Sequence, residues 1–107
     1  MQTGIARNIN IPREEISNFC KRWRIRELAL FGSVLRGDFS PNSDIDLLVT
    51  FNSEANWGLL DHLRMEQELE EMLGRKIDLL SKQAVERSHN WLRRQEILNT
   101  AEVVYGA

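Results

Sequence analysis

One cysteine, two prolines and two histidines in 107 residues remove several chemistries at the outset. A lone Cys20 cannot close an internal disulfide, so a cross-linked extracellular scaffold is excluded and a reducing cytoplasm is compatible. Cys20 falls on an apolar helical face and reads as core. His62 and His89 stand far apart without the spacing of metal ligands, which makes each a surface or core histidine. No apolar run approaches the roughly 18 residues of a membrane span and no signal peptide is present, so neither export nor membrane insertion is expected and the predicted location is cytoplasmic. Clustered cations are missing too. The 14 Lys and Arg are scattered among 16 Asp and Glu, for a net charge of −2. Strong non-specific nucleic-acid binding needs a basic patch that displaces counterions, and none stands out. There is no internal repeat and no low-complexity segment.

What the chain does concentrate is acid. Residues 39–78 hold Arg64, Arg75 and Lys76 against nine carboxylates. The length allows one domain with a single modest core, but not a catalytic domain plus a dedicated substrate domain. An acceptor would then come from a partner protein or through self-association, giving a homo- or hetero-oligomer.

Periodicity orders the elements. Residues 1–11 have little pattern and read as a flexible arm. Pro12 suits a first helical turn, Glu14 and Glu15 sit near its positive end, and Lys21, Arg22 and Arg24 near its negative end. Ile16, Phe19, Cys20 and Trp23 give the apolar stripe of that helix. Residues 27–31 read as a strand, 45–51 as a second, and 76–80 as a third. A helix is predicted over 58–73, with Leu59, Leu63, Met65, Leu69, Met72 and Leu73 facing the core and the glutamate run 66–71 mostly outside. Gly74 ends it. Trp57, just before it, is either packed or exposed for a partner. Ser81 is a candidate cap for a further helical piece, and a last helix over 89–100 is expected to bury Trp91, Leu92, Ile97 and Leu98. Residues 102–105 form a short strand or an extended tail. The expected fold class is α/β (α+β), a mixed sheet with flanking helices.

The stretch from Phe31 to Val49, F-G-S-V-L-R-G-D-F-S-P-N-S-D-I-D-L-L-V, carries the chemistry. On a strand, Asp44 and Asp46 project to one side and Ile45 to the other. The apolar run that follows places the two acids at the mouth of a sheet. Close like charges are unfavourable unless a cation lies between them, and oxygen-only ligands favour a hard ion such as Mg²⁺. Gly32 permits a close backbone approach, Ser33 offers a hydroxyl and an N–H, and the turn after it presents free N–H groups suited to phosphate. Arg36 has two candidate partners, a phosphate or Asp38. Taken alone, Asp44 and Asp46 are equally readable as acids capping a strand start, and Asp78 as a surface residue; the metal reading rests on the set.

G-S, then D-I-D, then a lone acid on a later strand in K-I-D-L-L, together with R-G after the turn, resemble the minimal nucleotidyltransferase (MNT) domain of the DNA polymerase β superfamily. The resemblance runs over residues 16–105, with the domain taken as 12–107. One departure is Leu35, where relatives often have a small residue. The family implies a palm-like core, Gly32 and Ser33 on the triphosphate, and Asp44, Asp46 and Asp78 as catalytic ligands of two Mg²⁺, with Asp78 where the attacking hydroxyl is activated. It further implies transfer of a nucleoside monophosphate, AMP from ATP, to a hydroxyl. Stand-alone MNT domains are similar to the antitoxins of HEPN/MNT toxin–antitoxin pairs, which makes a HEPN-domain toxin the expected partner and acceptor. Two other readings remain: an antitoxin that neutralises by binding alone, and an enzyme acting on a small hydroxylated molecule.

Overall fold

The computed structural model describes residues 3–6, 9–32 and 44–106. Strands β1 (Thr3–Ala6) and β2 (Ile9–Pro12) form an antiparallel pair. Helix α1 (Arg13–Arg22) follows, then β3 (Ile25–Phe31), β4 (Ile45–Phe51), α2 (Leu59–Leu73) and β5 (Ile77–Ser81). Two short helices, α3 (Lys82–Glu86) and α4 (Trp91–Thr100), lead to β6 (Glu102–Tyr105). The main sheet has the order β5-β4-β3-β6, with β4 and β5 parallel and the other two pairings antiparallel. Parallel neighbours need a long crossover, and α2 supplies it between β4 and β5. This is the mixed sheet with flanking helices that the sequence pattern predicts.

Each face of the sheet carries its own core. On one face Leu28, Leu30, Ile45, Leu47, Val49, Ile77 and Leu79 pack with Ile16, Phe19 and Cys20 of α1 and Met65 and Leu69 of α2. On the other, Ala29, Phe31 and Leu48 meet Val85 of α3 and Ile97 of α4. A strand covered on both sides must be apolar on both sides, which is why β4 reads Leu47-Leu48-Val49 without alternation. The capping chemistry is where the sequence places it. Glu14 and Glu15 lie in the first turn of α1 and Lys21 and Arg22 in its last, Gly74 closes α2 at φ +69°, and the Ser81 hydroxyl accepts the Ala84 N–H at 3.1 Å.

Three expectations change. Residues 1–11, read as a loose arm, include the β1–β2 pair, and Ile11 is fully buried in the larger core. A two-stranded ribbon has no strong local signal when its stability comes from packing elsewhere. Leu59 and Leu63, assigned to the core face of α2, are 75% and 45% exposed. Leu63 sits two residues before Met65, about 200° around the helix, and Leu59 lies on the buried stripe but a turn before the core begins. Trp91 and Leu92, expected inside, are also exposed. The second half of α4, with Ile97 and Leu98, and Ala101 just after it pack on the sheet. No helix among the described residues is long and apolar enough to cross a membrane.

Candidate active site

Antiparallel pairing of β3 with β4 brings the end of one strand to the start of the next, so Gly32 and Asp44 lie at the same end of the sheet. Asp46 is in register with Phe31 on one side and, across the parallel pair, with Asp78 on the other. Asp46 and Asp78 are therefore neighbours on adjacent strands, about 4.8 Å apart along the hydrogen-bonding direction. Both belong to the face that carries the smaller core, because Ile45, Leu47, Ile77 and Leu79 point to the larger one. Asp44 immediately precedes β4, two residues before Asp46. Asp44 and Asp78 are exposed and Asp46 is half-buried. Neither Asp44 nor Asp78 has a hydrogen-bond or ion-pair partner among the described residues.

Gly32 is required here for two reasons. Its φ of +78° is the left-handed region that L side chains rarely adopt, and a Cβ at this position would overlap Asp46 Oδ2 and lie 3.2 Å from Cγ. The structure places Gly32 directly against the carboxylate of Asp46. Ser33 and Arg36, the other phosphate-binding candidates, lie outside the described residues. Among the described residues no three carboxylate, histidine or cysteine side chains converge to hold an ion unaided.

The edge of the sheet beside Asp78 is closed by side chains that the sequence reading left without a role. Glu66 Oε2 accepts the Leu79 N–H at 3.0 Å, and His62 Nε2 lies 2.8 Å from the Leu79 carbonyl oxygen. Both come from α2, one turn apart, with Nε2 to Oε2 at 3.7 Å. The glutamate run is consequently more than a solvated face. Glu68 accepts from Arg22 at 2.8 Å and from the Trp23 indole at 3.0 Å. A signal was available: positions 62 and 66 fall on the stripe marked by Met65, Leu69 and Leu73, where polar residues call for a polar partner.

Trp57 is packed. Its indole N–H donates to the Trp23 carbonyl at 2.7 Å and its ring meets Trp23 edge-on at 5.0 Å. It borders an open cleft of about 880 Å³ formed with Thr50, Phe51, His62, Ser81 and Lys82. That cleft lies at the far end of β4 from the acids. Cys20 is fully buried, and burial pushes its thiol up to about 12 from the ordinary 9.0.

The sequence profile described as "Nucleotidyltransferase domain" matches residues 13–104. Putative protein adenylyltransferase MJ0435 of Methanocaldococcus jannaschii is 34% identical over 94 residues, which cover 88% of this chain and 95% of that protein. Protein adenylyltransferase MntA of Thermococcus cleftensis is 37% identical over 65 residues, and MJ1379 of M. jannaschii, also named Putative protein adenylyltransferase, 34% over 64. These two matches cover 61% and 60% of this chain and 64% of each relative. A solved structure described as a putative minimal nucleotidyltransferase superposes with a TM-score of 0.64 at 36% identity, over 83% of this chain and 85% of that one. A toxin–antitoxin crystal structure with AMP-PNP has the same fold, with a TM-score of 0.67 at 21% identity, over 89% and 73%. With its sheet order, its acid-bearing strands and a profile match over most of its length, the chain belongs to the nucleotidyltransferase domain family.

Proposed function

We propose that this nucleotidyltransferase moves AMP from ATP onto a hydroxyl of a partner protein, and that the partner is a HEPN-domain toxin for which it serves as antitoxin. The observation that carries the site assignment is the register of Asp46 against Asp78, with Gly32 held against the Asp46 carboxylate. The acceptor and nucleotide draw support from relatives named protein adenylyltransferase and from similarity to a toxin–antitoxin complex with AMP-PNP.

The donor set fits Mg²⁺. Asp44, Asp46 and Asp78 offer only oxygen, and Mg²⁺ binds through one or two carboxylates together with waters and substrate phosphates, so a ready three-carboxylate cage is not required. When bound, the ion neutralises the triphosphate and stabilises the departing pyrophosphate. In this reading Asp44 and Asp46 orient the α-phosphate end of ATP, and Gly32 and Ser33, with Arg36, hold the outer phosphates. The acceptor oxygen attacks the α-phosphorus, the bond to the β-phosphate oxygen breaks, pyrophosphate leaves, and the hydroxyl proton passes to a carboxylate oxygen of Asp78.

The test is incubation with ATP, GTP, CTP or UTP, each labelled at the α-phosphate, with Mg²⁺ and a candidate HEPN-domain partner protein. Label on that protein from ATP, absent with Asp44→Asn/Asp46→Asn, is expected. Absence of protein label alongside a complex that still silences the toxin would replace this reading with a binding-only antitoxin. Label on a small hydroxylated compound instead would make it a small-molecule transferase.

A further inference from the structure

Among the described residues strand β5 is the edge of the main sheet, paired only with β4, and it carries Asp78. An edge strand presents alternate peptide groups outward, and unpaired edges are where a strand frays or slips. At Leu79, next in sequence to Asp78, both outward groups are taken by α2. Glu66 accepts the N–H and His62 meets the carbonyl oxygen. The Leu79 side chain is buried on the opposite side, in the core beneath α2. Leu79 is thereby fixed through its amide, its carbonyl and its side chain, while Asp78 projects from the other face into the site.

From this geometry we infer that His62 and Glu66 are positioning residues for Asp78: side chains on α2 stand in for a fifth strand and set the height of Asp78 against Asp46. This rests on the proposed role of Asp78. It explains two otherwise unaccountable features of the sequence, namely polar residues on the buried stripe of α2 and their spacing of one helical turn. Two groups one turn apart on a helix face lie close enough to take the N–H and the C=O of a single residue. Neither side chain needs to touch substrate. Their effect passes through one peptide unit.

Hydrogen exchange, metal binding and transfer test this together. In His62→Ala/Glu66→Ala the Leu79 amide should exchange at least tenfold faster. Mn²⁺ affinity, followed by electron paramagnetic resonance, should fall several-fold, and the transfer rate should drop about tenfold at saturating ATP with its KM little changed. Glu66→Gln keeps a carbonyl oxygen for the Leu79 N–H and should restore most of the slow exchange and the Mn²⁺ affinity, which a loss through general instability would not do. Faster Leu79 exchange with unchanged Mn²⁺ affinity and rate would overturn the inference while leaving the function intact, provided Asp78→Asn is impaired. If Asp78→Asn itself binds Mn²⁺ and transfers AMP as the parent does, the reading of Asp78 fails and this inference with it.

Discussion

The two ends of strand β4 differ in a way that separates volume from chemistry. At its far end lies the large cleft, about 880 Å³, and several polar groups in and beside it are engaged in local hydrogen bonds. Trp57 bonds to Trp23, Trp23 to Glu68, Ser81 caps α3, and Asp61 accepts the Gly58 N–H at 3.0 Å. At its near end Asp46 and Asp78 share one face, with Asp44 just ahead of β4, beside a glycine that cannot be replaced without displacing a carboxylate. The proposed site thus lies at the other end of β4 from the large cleft.

Substitutions at the two ends should therefore part company. The largest effect is expected for Asp46→Asn, which should lower transfer at least about a hundredfold, the scale of losing a preorganised electrostatic contact, with melting temperature nearly unchanged. Quenched-flow or gel assays of labelled partner measure it. Gly32→Ala and Gly74→Ala give a sharper pair. Both positions have positive φ, so each should lose about 1–2 kcal/mol in urea unfolding. Only Gly32→Ala should also depress transfer, by tenfold or more, because the added Cβ meets Asp46 whereas Gly74 faces open space. Trp57→Phe at the far end removes the bond to Trp23 and should cost about 1 kcal/mol with transfer unaffected.

The placement of Asp44 and Asp46 at the start of a strand was legible because their spacing is local. Asp44 and Asp46 are two residues apart on a strand whose apolar run fixes its limits, and β4 spans the predicted residues 45–51. The adjacency of Asp46 and Asp78 is a matter of register between strands joined by a whole helix, and no local pattern contains it. The β1–β2 pair was illegible for the same reason: Ile11 is buried by contacts with elements far along the chain. On α4 and at the start of α2 the periodicity could not tell where the core beneath ends, so Leu59, Trp91 and Leu92 were placed inside, while Leu63 lies on the far side of α2 from Met65. His62 and Glu66 show in sequence as polar residues on the buried stripe of α2, but their partner is a backbone, so the sequence does not name it.

The smallest predicted effect concerns Cys20, far from either end. Its folded-state thiol resists ionisation up to about 12 while the unfolded one ionises near 9.0, so its contribution to stability is complete below about 9 and declines as pH rises towards 12. Cys20→Ala should flatten that alkaline decline in denaturation curves. Alkylation of the native thiol should be slow at neutral pH and fast in urea.

The most direct test of the account is an intact-mass time course of the proposed HEPN-domain partner with ATP and Mg²⁺, comparing the parent protein with Asp78→Asn. The parent should add AMP to the partner, and the variant should form the same complex while adding none on that timescale. Addition of AMP by Asp78→Asn at the parental rate would contradict the assignment of the site to the face shared by Asp46 and Asp78.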